Sequence, residues 1–195
     1  MQAGMGFYAN WGKWVVRKRL GTIAIGIGLI CLPALATEAG GSPDDISANS
    51  IRSGCDVTFS KELHPLSNDP LSTPPFDISA KWICRDGEVI DFDKYAINGS
   101  GPSVVTVLFW RGRYIIVLVK WAENSSASDY VGDFYEVFSY KRQQLDGRAG
   151  IVRDSTIERL FSSGWDGYSS NGSKVKYPFK DAASIRKVLR SNNVK

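Results

Sequence analysis

Carboxylates near the ends of predicted strands are the residues whose type and spacing come closest to catalytic chemistry. Asp91 and Asp93 stand two positions apart in a predicted strand, where alternate residues share a face. Two carboxylates on one face can act as general acid and base or cleave a glycosidic bond. No second feature supports such a site, and acidic residues at a strand end are commonly solvated. We therefore expect no catalytic residues.

Metal-ligating residues are equally sparse in the sequence. Asp129 and Asp133 could ligate calcium, but no Asp-x-Asp-x-Asp-Gly loop is present. His64 is the single histidine and lies in a proline-bounded loop, where we expect it at the surface. A Ser-His-Asp triad around it would lack the Gly-x-Ser-x-Gly elbow. One histidine and two paired cysteines are too few for zinc, so the sequence predicts neither a metal nor a cofactor.

Aromatic and basic residues in predicted loops are the best candidates for binding. Trp165 to Tyr177 is rich in Gly, Ser and Asn, and Trp or Tyr in a mobile loop exposes apolar surface unless something covers it. Trp, Tyr and Arg are also the side chains that anchor protein interfaces. The alternatives are that Trp165 folds back over the preceding helix and that turn arginines are merely solvated. The predicted partner-binding residues are Trp165, Asp166, Tyr168, Tyr130, Arg111 and Arg113.

The first 36 residues have the pattern of a secretory signal peptide. Four basic residues between Lys13 and Arg19 precede an apolar core from Thr22 to Leu32, and Ala34-Leu35-Ala36 supplies the small residues of a cleavage site. We expect cleavage before Thr37, a periplasmic or secreted mature protein, and no stable membrane span after cleavage. An uncleaved N-terminal anchor is the alternative.

The charge balance changes once this leader is set aside. The chain has 24 Lys and Arg residues and 20 Asp and Glu residues, and the leader holds four basic residues and no acidic one. The mature chain is therefore formally neutral. This argues against a nucleic-acid-binding protein, which needs a basic patch on its folded domain.

After the predicted leader, which contains Cys31, the chain has two cysteines, Cys55 and Cys84. They are an isolated pair in a chain predicted to be exported. In an oxidising compartment such a pair is most simply a disulfide. The rival interpretation, a reactive thiol, lacks a Cys-x-x-Cys motif and a nearby histidine. We predict a Cys55–Cys84 disulfide.

The stretch from Ser103 to Trp121 predicts a central β-hairpin. Two runs of β-branched and aromatic residues flank Arg111-Gly112, and both faces of each run are apolar, which is typical of strands covered on both sides. A two-residue turn would set Trp110 opposite Arg113. Because Arg111 disfavours the positive φ of that turn, a longer loop with a shifted register is the alternative.

The other elements are predicted from turn and capping signals. Cys55 to Leu63 and Asp133 to Arg142 read as strands, and Ile78 to Phe92 as a hairpin that turns at Asp86-Gly87 with Arg85 opposite Glu88. Ser155-x-x-Glu158 predicts a capped helix ending at Gly164, and Asp181 caps a second helix. Strands first and helices last indicate an α+β fold with a single antiparallel sheet, built on the hairpin of about 103–121, and two C-terminal helices packed on it. The predicted domain is 55–195, after a flexible lead-in of 37–54.

These features together favour an exported binding protein over an enzyme. We expect it to neutralise a partner protein by inserting loops, as an immunity protein or an inhibitor of a cell-envelope-degrading enzyme or toxin does. One alternative is a small secreted hydrolase that acts on envelope material through carboxylates at 91, 93, 129 or 133. Another is a structural envelope protein without a dedicated ligand.

Overall fold

The first strands of the chain form a sheet in which each strand pairs with its neighbour in sequence. The computed structural model describes residues 45–64, 74–125 and 127–195. The four-stranded sheet runs in the order β1 (Ile46–Ser47), β2 (Cys55–Leu63), β3 (Phe76–Cys84) and β4 (Val89–Tyr95). Because β1 pairs with β2 and Ala48 is fully buried, the fold includes residues before Cys55 that the sequence predicts to be a flexible lead-in.

The predicted signal peptide, 1–36, lies outside the described residues, as does the rest of the lead-in up to residue 44. Residues 65–73, in the proline-bounded loop that contains His64, also lie outside the described residues. None of the helices in the part of the chain that is described has the length and apolar character needed to cross a membrane.

A second, six-stranded sheet follows, so the prediction of a single sheet is wrong. Its strands are β5 (Pro102–Trp110), β6 (Tyr114–Glu123), β7 (Tyr130–Leu145), β8 (Arg148–Arg153), β9 (Gly164–Ser169) and β10 (Lys174–Val175). Their order is β10-β9-β7-β6-β5, with β8 paired to β7. The strand β7 therefore carries β6 along one edge and both β9 and β8 along the other. The helices are α1 (Ser155–Glu158) and α2 (Ala182–Ser191).

The strand β6 is buried on both faces, as its apolar pattern predicts. Ile115, Val117 and Val119 pack against the first sheet. Ile116 and Leu118, which point the other way, pack with residues of both helices. The six-stranded sheet is thus the middle of three layers, with the four-stranded sheet on one side and the helices on the other. Only one strand of the predicted central hairpin is central, because β5 lies at the sheet edge.

The register of the central hairpin differs by one residue from that of a two-residue turn. Trp110 pairs with Tyr114, and Arg113 belongs to the loop together with Arg111 and Gly112. Arg111 does adopt a positive φ, of 51°. The observed register places the rings of Trp110 and Tyr114 together on the side of the sheet that faces the helices, and each is 8% exposed. The register of a two-residue turn would instead set Trp110 opposite a charged residue. Burial of matched apolar faces therefore decides the register.

The predicted disulfide is confirmed: Cys55 and Cys84 lie directly opposite each other on β2 and β3 and are bonded. The predicted pairing of Arg85 with Glu88 is wrong, because the β3–β4 loop is longer than two residues and Ile83 pairs with Val89. Glu88 instead turns inward beside the disulfide.

Glu88 joins the two sheets through a partly buried charged cluster, which we call the Glu88 cluster. Its carboxylate accepts hydrogen bonds from Arg52 at 2.6 Å, from Arg142 on β7 at 2.9 Å, and from the Trp82 indole at 3.1 Å. Partial burial alone would raise the pKa of Glu88, but the hydrogen bonds from Arg142 and Trp82 and the charge of Arg52 outweigh it, so the pKa is lowered. Cys55, Cys84 and Glu88 are grouped as metal ligands would be, but both sulfurs are committed to the disulfide.

The C-terminal elements agree with the sequence in part. As predicted, Asp181 caps α2, accepting from the Ser184 amide at 2.7 Å. Ile185 and Leu189 form the buried face of this helix. The first helix is a single turn. It is capped by Asp154 rather than by the predicted Ser155, and Asp154 also pairs with Lys141 at 3.0 Å. The segment 165–177, predicted to be a loop, contains β9 and β10 and extends the second sheet.

Candidate functional site

The predicted partner-binding residues lie at three separate places. Tyr130 and Trp165 come together at one end of the six-stranded sheet. Asp166 and Tyr168 share the strand of Trp165 but point to its opposite face, because strand residues alternate. Arg111 and Arg113 lie in the β5–β6 loop, beyond the other end of β6, which at ten residues is about 30 Å long.

A row of aromatic rings crosses three strands at the first of these places. Trp121 on β6, Phe134 on β7 and Trp165 on β9 are direct cross-strand neighbours. The ring centroids of Phe134 lie 6.1 Å from Trp121 and 5.2 Å from Trp165. Tyr130 stacks on Trp165 with centroids 5.2 Å apart and planes inclined by 10°. Cross-strand register therefore gathers four rings from distant parts of the sequence onto one face.

The contact between Tyr130 and Trp165 depends on two paired glycines. Trp165 pairs with Phe134, four residues along β7 from Tyr130, a separation of about 13 Å along an extended strand. The two rings meet because they lean toward each other over Gly132 and Gly167, which pair directly and carry no side chains. A Cβ on Gly167 would lie 2.1 Å from the Val131 carbonyl oxygen, so the close approach of the two strands requires glycine there.

Polar groups surround these rings and form a cleft of about 490 Å³ that is open to solvent. One wall is the β4–β5 link, with Asn98 and Gly99, and the other is formed by Glu123 at the end of β6 and by Ser128 and Asp129 in the β6–β7 loop. The Trp121 indole fixes the first wall by donating to the Ala96 carbonyl at 2.9 Å. We call this site the aromatic cleft. It combines apolar faces with a few convergent polar groups, as ligand sites commonly do.

The aromatic cleft is acidic. Glu123 and Asp129 contribute carboxylates, and no Lys, Arg or His is among the described residues that line it. One oxygen of Glu123 accepts from the Ser125 amide at 2.7 Å. In the described part of the chain neither carboxylate forms an ion pair, whereas Asp91, Asp133 and Asp166 each pair with a lysine.

Of the other predicted site residues, Asp166, Arg111 and Arg113 have structural partners. Asp166 accepts from the Tyr177 amide and pairs with Lys180 at 2.8 Å, and these interactions with Lys180 and Tyr177 lower its pKa and hold the segment that leads into α2. Tyr168 is 54% exposed. Arg111 and Arg113 each lie over the ring of an adjacent residue, Trp110 and Tyr114, at 5.6 Å.

The carboxylates considered for catalysis are not brought together in the way the sequence predicts. A bulge shifts the β3–β4 register, so Asp91 is opposite Lys81 while Asp93 is opposite Ala80. Asp91 pairs with Lys81 on the outer face at 3.1 Å, and Asp93 turns inward to accept from the Tyr140 hydroxyl. The extra residue therefore turns the two carboxylates in different directions, although both still line one shallow cleft at the edge strand β4.

The remaining candidates also stay apart. Asp133 pairs with Lys120 at 2.9 Å, while Asp129 lines the aromatic cleft. His64 is exposed, as predicted, with its Nε2 3.0 Å from an Asp77 carboxylate oxygen. Asp77 also accepts from the Ile97 amide at 2.9 Å, and this bond is the main cause of its lowered pKa.

The sequence assigns two members of the aromatic cleft, Tyr130 and Trp165, to partner binding, and it offers Asp129 only as a possible calcium ligand or catalytic carboxylate. Trp121 and Phe134 look like ordinary core residues of apolar strands, and Glu123 looks like a polar loop residue. The alternation of Tyr130, Gly132 and Phe134 on one face of a strand was the available signal, and it could be used only once that strand was known to begin at Tyr130.

Comparison of the chain with protein-family models, with curated proteins and with solved structures finds no match.

Proposed function

We propose that this chain is an exported protein that binds a partner protein in the aromatic cleft and thereby blocks its activity. An immunity protein or an inhibitor of a cell-envelope-degrading enzyme or toxin would act in this way. The observation that carries the proposal is the Tyr130–Trp165 pair, which is half-buried at the base of a solvent-open cleft and backed by Phe134. Rigid, desolvated aromatic side chains in a pocket are typical of the centre of a protein interface.

The proposed periplasmic or secreted location is supported by the leader pattern of residues 1–36 and by the disulfide. A Cys55–Cys84 bond persists in oxidising compartments and is rare where thiols are kept reduced.

A binding function fits the geometry better than the proposed alternatives do. A hydrolase using the 91 and 93 carboxylates would need them free and turned the same way, whereas Asp91 pairs with Lys81 and Asp93 accepts from the Tyr140 hydroxyl. A purely structural protein would have no need for an open cleft lined by aromatic and carboxylate side chains. We infer that the aromatic cleft accepts a group from the partner, in place of the loop insertion expected from the sequence, because Trp165 lies on a strand and not in a loop.

Replacing Trp165 with alanine is expected to weaken partner binding about 30-fold, which corresponds to about 2 kcal/mol for a central aromatic anchor. The test uses the tagged chain, expressed with its own leader and recovered oxidised from its own cells. The partner is captured from lysate and culture fluid and identified by mass spectrometry. Its affinity for wild type and W165A is then measured by calorimetry, and its activity is assayed with and without the chain.

Tyr168→Ala is the matched control, because it removes an exposed aromatic side chain from the same strand on the opposite face. It should leave the affinity unchanged. Equal affinity of W165A and wild type, or a partner whose activity is unaffected by binding, would contradict the proposal.

A further inference from the structure

We propose that the aromatic cleft binds a cationic group, the guanidinium of arginine or the ammonium of lysine, presented on the surface of the partner. This inference rests on the proposed function and adds to it the chemistry that the partner must offer.

The aromatic rings supply the first half of the recognition. The face of an aromatic ring carries negative electrostatic potential and attracts a cation placed over it, most strongly for Trp. Tyr130 and Trp165 are half-buried at the cleft, with Phe134 and Trp121 behind them. Because Tyr130 and Trp165 each cover one face of the other, a cation would bind at the outer face of the pair, where an arginine can stack its planar guanidinium.

The carboxylates supply the second half. Glu123 and Asp129 line the same cleft, and in the described residues no basic side chain neutralises them. Two other acidic side chains of the second sheet are paired with lysines: Asp133 with Lys120, and Asp166 with Lys180. A partner's cation in the aromatic cleft would pair with Glu123 and Asp129 in the same way.

Gly99 lies next to one of these carboxylates. It has a φ of 74°, and a Cβ at position 99 would lie 3.1 Å from the Glu123 Oε2 atom, so a larger residue there would crowd the carboxylate. Oε1 accepts from the Ser125 amide, and among the described residues Oε2 has no hydrogen-bond donor of its own. Anionic ligands are disfavoured by the same two carboxylates, and a neutral ligand would make no use of their charge.

The experiment compares two small probes that differ in charge and hardly in shape. N-acetyl-arginine amide and N-acetyl-citrulline amide are titrated into the oxidised ¹⁵N-labelled chain, and the indole N–H signals of the tryptophans are followed by NMR. We expect the arginine probe to shift the Trp165 and Trp121 signals with a dissociation constant of about 1–10 mM. The signals of Trp82 and Trp110, which lie outside the cleft, should not move.

The citrulline probe should bind at least about tenfold more weakly, as should the arginine probe to a variant carrying Glu123→Gln and Asp129→Asn. Raising the ionic strength should weaken arginine binding and leave citrulline binding unchanged. Both substitutions keep the size of exposed or half-exposed side chains, and a retained amide spectrum will verify the fold. Equal binding of the two probes, or no shift of the Trp165 signal with either, would overturn the inference.

Partner capture separates this inference from the proposed function. If W165A loses the captured partner while the Glu123→Gln, Asp129→Asn variant retains it, the cleft binds protein without using a cation, and the inference fails alone. If the arginine probe binds but wild type and W165A capture the same proteins equally, the ligand is a small free cation. That result would overturn the proposed function, and it would also show that the cation does not come from a partner protein.

Discussion

Gly167→Ala is expected to break the pairing of β9 with β7 and to dismantle the aromatic cleft. The new Cβ would lie 2.1 Å from the Val131 carbonyl oxygen and 2.9 Å from the Gly132 Cα, and both are backbone atoms that no side-chain rotation can move away. The strands must separate or slip, and slipping by one residue would turn Trp165 to the wrong face. We expect a loss of about 3–4 kcal/mol in the free energy of unfolding, at the upper end for single substitutions.

Urea unfolding of wild type and G167A checks this expectation. Gly164→Ala is the matched control on the same strand, where the Cβ would lie 3.3 Å from the side chain of Tyr177, and it should cost less than about 1 kcal/mol. Loss of the Tyr130–Trp165 contact should also move the Trp165 indole signal in NMR spectra of G167A. An unchanged unfolding midpoint together with an unmoved Trp165 signal would show that the two strands are not held as closely as described.

Glu88→Gln is expected to remove about 2–3 kcal/mol of stability at neutral pH. The substitution keeps the shape of the side chain but leaves Arg52 and Arg142 facing a neutral amide. Breaking a buried ion pair by removing one partner costs about 3–5 kcal/mol, and the 21% exposure of the Glu88 side chain reduces that figure. The Glu88 cluster also bridges the two sheets, so its loss weakens their packing.

The stability difference between wild type and E88Q is expected to depend on pH. Because the folded-state pKa of Glu88 lies below its ordinary value of 4.5, its contribution is fully present above pH 4.5 and is lost as the pH falls through the folded-state pKa. Unfolding free energies of wild type and E88Q should therefore differ at pH 7 and converge in acid. Asp91→Asn, which changes a side chain that is 72% exposed, should have little effect at any pH. An E88Q deficit that is constant with pH would contradict an electrostatic role.

Local sequence patterns predict the type of element well where a strand is buried on both faces. They predict strand pairing poorly where one extra residue shifts the register. The run Tyr114 to Val119 is apolar without alternation, and it forms a strand covered on both faces. The loop at Arg111 and the bulge in β4 each add one residue. In a strand with a period of two, one extra residue reverses the direction of every later side chain. This is why Asp91 and Asp93 do not point the same way, although their spacing predicts that they do.

The aromatic cleft could not be predicted because it is assembled by tertiary pairing. The segment 164–169 has the Gly and Ser content of a loop, and it becomes a strand because the edge of β7 is available to it. Trp121, Phe134 and Trp165 become neighbours only through the registers of three strands. The disulfide, by contrast, was predicted from the number of cysteines and the predicted leader alone.

The pairing of β9 has a consequence for the order in which the chain folds. Strands β1 to β4 and β5 to β8 each pair with their neighbours in sequence, so these contacts close short loops and form rapidly. The β9–β10 hairpin instead docks on β7 across the intervening β8 and α1, a contact of higher sequence separation. Docking of this hairpin is therefore expected late, after both meanders have formed. The chain would be compact before the rings of Tyr130 and Trp165 meet, and the aromatic cleft would be the last part of the molecule to be completed.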